Sequence, residues 1–268
     1  MKIFSASQIK EWDKYTTAEQ NISSHELMER AAHACFGWLE QKYSTKNSFY
    51  IFCGNGNNGG DGLALVRLLI EESYSAKAVL LNPEKAFSPD AIANLKLLQK
   101  YSLQSILNWN DVELNIIPHD TIIIDAIFGT GLNRNLDENI AVQIQSLNRL
   151  SNIKISIDIP SGLFTDTLTN ADATCFSADY TLSFQTYKRS LLHPESAKFA
   201  GKVEILNIGL SKAFEEETST GFYTTDSDGI HVLYKPRNPF SHKGTFGTAV
   251  LVGGSYGKIG AIALSAKA

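Results

Sequence analysis

The stretch Gly54-Asn55-Gly56-Asn57-Asn58-Gly59-Gly60-Asp61-Gly62 brings glycines, amides and a carboxylic acid together after a short apolar run. It contains G-x-G-x-x-G at Gly54, Gly56 and Gly59, a spacing whose bare backbone can approach a pyrophosphate at the start of a helix. The spacing alone is a weak signal. A dinucleotide fold of the usual kind also places Asp or Glu at the end of the next strand, to hold the ribose. Here that strand ends at Asn82. No Gly-Lys-Ser/Thr follows the glycines, so a P-loop is excluded. A bare glycine turn is the bland alternative, yet it has no need of two adjacent asparagines and an aspartate.

Two further carboxylates stand at the ends of apolar runs. Asp125 closes one and is followed by Gly129-Thr130-Gly131; Asp158 closes another and is followed by Pro160-Ser161-Gly162. Each could equally be a helix cap or a solvated edge. Ligands of open α/β sheets sit outside the carboxyl ends of strands, which would bring both aspartates and the glycine loop to one crevice. Asn58, Asp125 and Ser161 offer only oxygen, a donor set suited to a hard cation rather than zinc or iron. The histidines are scattered, and Ser161 lies in Pro-Ser-Gly rather than G-x-S-x-G, so a Ser-His-Asp hydrolase finds no support. Lys188 and Arg189 follow another apolar run; they could attract an anion, but read more simply as a solvated loop.

The elements that must position these groups are legible as alternating runs. Apolar strands are expected at 49–53, 76–81, 121–125, 154–158, 180–184 and 202–208, with helices at 24–43, 63–69, 90–100 and 138–149. Apolar strands alternating with helices imply parallel βαβ units: an α/β fold of three αβα layers, Rossmann-like, with a mostly parallel sheet. Residues 1–210 form the expected main domain. Residues 211–243 have the composition of a linker, and 244–268 read as the incomplete start of another domain, with a strand at 248–252 and a helix from 259.

The chain has 268 residues, 43% of them hydrophobic, enough for a sizeable core. Its net charge of −4 carries no basic concentration, which argues against nucleic acid or an anionic membrane as partner. The opening residues lack the apolar core of a signal peptide, so a soluble, cytoplasmic protein is expected. Cys35, Cys53 and Cys175 show no paired spacing and are expected to be reduced packing residues.

The glycine loop 54–62, the run Asp125-Ala126-Ile127-Phe128-Gly129-Thr130-Gly131-Leu132 and the run Ser156-Ile157-Asp158-Ile159-Pro160-Ser161-Gly162-Leu163 together resemble the NAD(P)H-hydrate epimerase family, in its order and spacing. Leu27-Met28-Glu29-Arg30-Ala31-Ala32 resembles that family's first long helix. His242 to Gly247, Gly253-Gly254-Ser255 and Gly260-Ala261 resemble the opening of an ADP-dependent hydrate dehydratase, a ribokinase-like domain that follows the epimerase in bifunctional repair enzymes. The resemblance implies an isomerase that interconverts the R and S hydrates of NADH and NADPH (NADHX and NADPHX). It implies substrate contacts from Asn57, Asn58, Gly59, Gly60, Asp61, Gly129, Thr130, Gly131, Leu132, Asn133, Arg134, Asn135 and Asp158. It also implies a potassium ion at Asn58, Asp125 and Ser161, and a homodimer. Asp158 is the candidate acid/base, a role that requires burial. No dehydratase activity is expected, because most of that domain is missing. The alternative is a non-catalytic binding module for a small molecule, protein or RNA on the same fold.

Overall fold

The computed structural model describes residues 1–170, 172–225, 227–234, 236 and 238–267, without the side chains of 227, 228 and 243. In chain order the helices are α1 (Ala6–Glu19), α2 (Ser24–Glu40), α3 (Asn57–Glu71), α4 (Pro89–Ser102), α5 (Glu138–Asn148), α6 (Ala197–Ala200), α7 (Lys212–Glu217), α8 (Ser227–Leu233) and α9 (Gly260–Lys267). The strands are β1 (Ser48–Cys53), β2 (Ser75–Leu80), β3 (Ile106–Asn108), β4 (Ile122–Ala126), β5 (Lys154–Ile157), β6 (Tyr180–Phe184) and β7 (Lys202–Leu206). They make one sheet in the order β3-β2-β1-β4-β5-β6-β7, and every pair is parallel.

Alternate residues of each strand feed two cores, one on each face of the sheet. Ile51, Ala78, Ile124 and Ile155 pack with Cys35 and Leu39 of α2, Leu65 and Leu69 of α3 and Leu98 of α4. Phe52, Val79 and Ile123 pack on the other face against Ile140, Ile144 and Leu147 of α5. The expected three-layer, Rossmann-like arrangement is therefore present. Cys35, Cys53 and Cys175 are free and buried. Among the described residues no helix is long and apolar enough to cross a membrane.

Four expectations are corrected. The third helix begins at Asn57 rather than at Leu63, so most of the glycine loop is helical. Glycine weakens a helix interior, but a Cβ at Gly59 would lie 1.9 Å from the Gly54 carbonyl oxygen, so close backbone contact outweighs propensity there. Helix α1 was not expected, although a Ser5–Gln8 capping box opens it; only Trp12 and Thr16 are buried, a stripe too thin to read. Residues 211–224 are not a linker. The first compact unit runs to Thr224, because Phe214 stacks on Trp12 at 5.9 Å between ring centroids and joins Phe4, Leu27 and Ala31 in a core of their own. The remaining unit, Thr225–Ala268, holds α8 and α9. The strand expected at 248–252 is not formed among its described residues; Val250 and Val252 are exposed, and a lone strand has no ladder to join.

If 211–224 belongs to the core, Phe214→Ala should lower unfolding stability by about 3 kcal/mol, as for a buried aromatic. Urea denaturation followed by far-UV dichroism measures it; a change within about 0.5 kcal/mol, typical of surface positions, would restore the linker reading.

Candidate functional site

The strand order reverses direction between β1 and β4, the point at which open α/β sheets bind ligands beyond the carboxyl ends of the strands. The glycine segment leaves β1 there, and Asp125 lies in β4 beside it, Phe52 of β1 pairing with Asp125. Asp158 follows β5 directly. Backbone chemistry marks the same edge: Asp158 and Gln185, just past β5 and β6, both have left-handed φ, +68° and +62°. Such conformations are strained for residues other than glycine and persist where neighbours hold them. The Asp158 N–H donates to the Leu182 carbonyl at 2.7 Å, and Gln185 Oε1 accepts from Ile208 N at 3.1 Å.

Asp125 is fully buried, and its carboxylate accepts four hydrogen bonds: Ser161 Oγ at 2.6 Å, Ser161 N at 2.8 Å, Ser156 Oγ at 2.8 Å and Ile127 N at 3.1 Å. Burial pushes its pKa up while these bonds pull it down. Ser161 Oγ also accepts from Phe128 N at 2.8 Å, tying the loop after β4 to the loop after β5. Asn58, 7% exposed, has neither its amide oxygen nor its amide nitrogen hydrogen-bonded. That is costly for a buried amide unless a ligand completes it. Gly129 explains how the three loops converge: a Cβ there would lie 3.2 Å from Asp158 Oδ2 and 3.3 Å from Asn58 Cβ.

Asp158 itself is 7% exposed. Its Oδ2 accepts from Thr130 N at 3.3 Å, and its Oδ1 faces Lys188 Nζ at 2.5 Å. Lys188 is 1% exposed and donates also to the Phe184 carbonyl at 2.8 Å. The solvated-loop reading of Lys188 is therefore wrong: the ammonium is buried because the Asp158 carboxylate is there to receive it. Two more carboxyls feel the charge of Asp158. Asp61, in the second turn of α3, is pushed well above the ordinary carboxylate range by burial and by the charges of Asp158 and Asp13. Asp13 of α1, half-buried, is raised to about 6, by burial first and by Asp158 second, while Lys188 pulls it down. Neither Asp13 nor Lys188 was singled out as functional from the sequence; the position of Lys188 after a strand end was the one available signal.

Of the expected residues, the structure brings Asn58, Asp61, Asp125, Gly129, Thr130, Asp158 and Ser161 together. Gly60 instead faces Met28 and Ala91, where a Cβ would lie 2.6 Å from Met28 Sδ; it serves helix packing. Asn57 is exposed at the start of α3, and Gly131, Asn133, Arg134 and Asn135 lie exposed in the loop before α5. In that loop Leu132 N donates to the Gly129 carbonyl at 3.3 Å. Asn135 lines an open cleft of about 520 Å³ with Leu136, Asn170, Asp172 and Thr174, adjoining the site rather than inside it. The N-cap of α3, Gly56, makes no side-chain capping bond, so nothing of its own side chain shields the amides of the first turn.

The chain is similar to known proteins over most of its length. The family described as YjeF-related protein N-terminus matches residues 24–190. The chain is 32% identical to the NAD(P)H-hydrate epimerase of Oenococcus oeni, over 77% of this chain and 96% of that protein. It is 29% identical to the bifunctional NAD(P)H-hydrate repair enzyme of Moorella thermoacetica, over 100% of this chain and 52% of that enzyme. The chain thus spans about half the length of the bifunctional relatives it matches. A crystal structure of the yeast protein ynu0 superposes with a TM-score of 0.66 at 18% identity, covering 85% of this chain and 98% of that one, which shows the shared fold.

Lys188→Met leaves the Asp158 carboxylate buried without its ammonium and should cost about 3 kcal/mol of stability at neutral pH. Adding Asp158→Asn should recover most of that loss. Chemical denaturation of both variants measures it, and equal stability of Lys188→Met and the parent would show that the pair is not energetically coupled.

Proposed function

We propose, since the chain belongs to the YjeF-related N-terminal family, that it interconverts the R and S hydrates of NADH and NADPH. The observation that carries this reading is the buried Asp158–Lys188 pair at the switch point of the sheet, beside an asparagine amide that lacks a partner. The names of its relatives support the same substrate class.

The hydrate bears a hydroxyl on the ring carbon next to the ring nitrogen. Protonation of that hydroxyl lets water depart, and the nitrogen lone pair stabilises the flat iminium left behind. Water returning to the opposite face yields the other epimer. Asp158 is held at this chemistry by Lys188 and by the Thr130 N–H. A placed acid/base group of this kind contributes roughly 100- to 10,000-fold. The uncapped first turn of α3 suits the pyrophosphate. The loop from Gly129 to Asn135 would lie along the dinucleotide.

The donor set also fits a hard monovalent cation. Asn58 Oδ1 lacks a partner, and Asp125 is a fully buried carboxylate whose hydrogen-bond partners are hydroxyls and amides rather than an ammonium. Asn58, Asp125 and Ser161 would hold potassium, whose fixed charge would steady the converging loops beside the phosphates. A cytoplasmic homodimer belongs to the same reading. Residues 244–268 are assigned to the beginning of a dehydratase-like domain, because the bifunctional relatives match through 99% or more of this chain. The dehydration itself is assigned to the part of those relatives that this chain does not span.

The test is to incubate the purified chain with a single hydrate epimer, in potassium and in sodium, and to follow the other epimer by chromatography. Conversion faster than the spontaneous rate and favoured by potassium is expected. Asp158→Asn should lower it by about 100-fold or more, and so should Asp158→Asn combined with Lys188→Met, which leaves neither charge buried alone. Turnover by either variant near the parent's rate would remove Asp158 from the chemistry, and a folded parent chain without activity would overturn the epimerase reading.

A further inference from the structure

The two oxygens of Asp158 have different partners. Oδ1 faces Lys188 Nζ at 2.5 Å, whereas Oδ2 accepts from Thr130 N at 3.3 Å. A Cβ on Gly129 would lie 3.2 Å from that same Oδ2 and 3.3 Å from Asn58 Cβ, so Oδ2 is the oxygen on the side of the buried, unpartnered Asn58 amide. A hydrogen bond to an ionised group is directional as well as strong. Where the Thr130 N–H stands therefore decides where Oδ2 points.

Thr165, in the loop after β5, holds Thr130 from behind. It is 3% exposed, and its Oγ1 donates to the Thr130 carbonyl at 3.0 Å. Its own carbonyl accepts from Ser190 N at 3.0 Å, two residues past Lys188. These links close a ring: Asp158 to Thr130, Thr130 to Thr165, Thr165 to Ser190, and along the chain to Lys188, which returns to Asp158. The ring rests on packed structure. Leu163, two residues before Thr165, and Leu191, beside Ser190, share a core with Ile159. On the other flank the Ala6 N–H lies 3.1 Å from each carboxylate oxygen of Asp166, which fixes that end of the loop to the start of α1. A β-branched side chain has few χ1 positions, so a buried threonine keeps its hydroxyl where the backbone puts it. The left-handed φ of Asp158, +68°, is a conformation that persists only where neighbours hold it, and the ring supplies them.

Resting on the epimerase reading, we propose that Thr165 is a positioning residue whose hydroxyl fixes the Thr130 backbone and thereby aims Asp158 Oδ2 at the hydroxyl that leaves and returns. Thr165 acts through Thr130 and not on the hydrate itself. Its hydrogen bond is the same before and after the reaction, so its whole contribution lies in keeping the acid/base oxygen within reach of the reacting carbon. A displacement of about 1 Å at such a group can cost about 100-fold in rate. Replacing the hydroxyl by a methyl leaves the Thr130 carbonyl without its donor and frees the loop from Gly129 to Asn135 to shift, with the Thr130 N–H moving off Oδ2.

The experiment compares the parent with Thr165→Val, which keeps the shape and loses the hydroxyl, Thr165→Ala, which loses both, and Thr165→Ser, which keeps the hydroxyl and loses the methyl. Each is followed from a single hydrate epimer. Thr165→Val and Thr165→Ala should lower kcat by about 10- to 100-fold, with a smaller change in KM. Thr165→Ser should keep most of kcat. A purely structural role predicts the opposite order, with the shape-preserving valine nearest the parent. Hydrogen exchange at the Thr130 amide, read by NMR without any hydrate, should quicken in the valine and alanine variants and stay near the parent's in the serine variant. In a background of Asp158→Asn with Lys188→Met, adding Thr165→Val should slow the residual reaction by less than about twofold, because the residue it acts through is gone. An active parent alongside Thr165→Val with the parent's kcat, or a serine variant as slow as the valine one, would overturn the inference and leave the epimerase reading standing. So would an undiminished loss in the background without Asp158. An inactive parent would overturn both.

Discussion

The ion pair between Lys188 and Asp158 is the interaction around which the rest of the first unit is arranged. Removing an ammonium and a carboxylate from water costs several kcal/mol each, and their attraction recovers that only with good geometry and further hydrogen bonds. The fold supplies both. Seven parallel strands deliver their carboxyl ends to one edge, two left-handed residues turn the chain sharply there, and the Phe184 carbonyl and Thr130 N–H complete the pair. An apolar pair of similar size would serve stability as well or better. The stability of the core therefore does not by itself account for an ionic pair at this edge.

Around that pair the polar groups divide by what they lack. Asp125 accepts four hydrogen bonds from within the chain and locks the loops after β4 and β5 together through Ser161. Asn58 is equally buried but unsatisfied. Helix α1 and residues 211–224 close the same side by a different route, through the aromatic contacts of Phe4, Trp12 and Phe214. The second unit, residues 225–268, has its own local structure and leaves many apolar side chains exposed, Tyr256 and Val252 among them.

Much of this was legible in the sequence, for a physical reason. Parallel strands covered on both faces read as continuous apolar runs, so six of the strands and the helices between them stand out, with Asp125 and Asp158 where the runs end. Strand β3, three residues of ordinary composition, offers no such run. The glycines of α3 read as a loop because their role, contact with the Gly54 backbone, is tertiary. Helix α1 hides behind a stripe of two buried residues. The place of Lys188 was not legible because a buried charge is recognised by its partner, and Asp158 lies far away in sequence. The linker reading of 211–224 failed on composition: among its acids and hydroxyls, Phe214 is enough to anchor the segment when Trp12 waits for it.

The central claim is that the carboxyl edge of the sheet binds the hydrate with its reacting carbon at Asp158. A crystal structure of the chain soaked with the hydrate, or with a stable reduced dinucleotide bearing a hydroxyl at that carbon, tests it most directly. The account predicts the hydroxyl within about 3.2 Å of an Asp158 oxygen, the Asn58 amide hydrogen-bonded, and the pyrophosphate at the first turn of α3. A dinucleotide seated away from that edge, with Asn58 still unpaired, would contradict it.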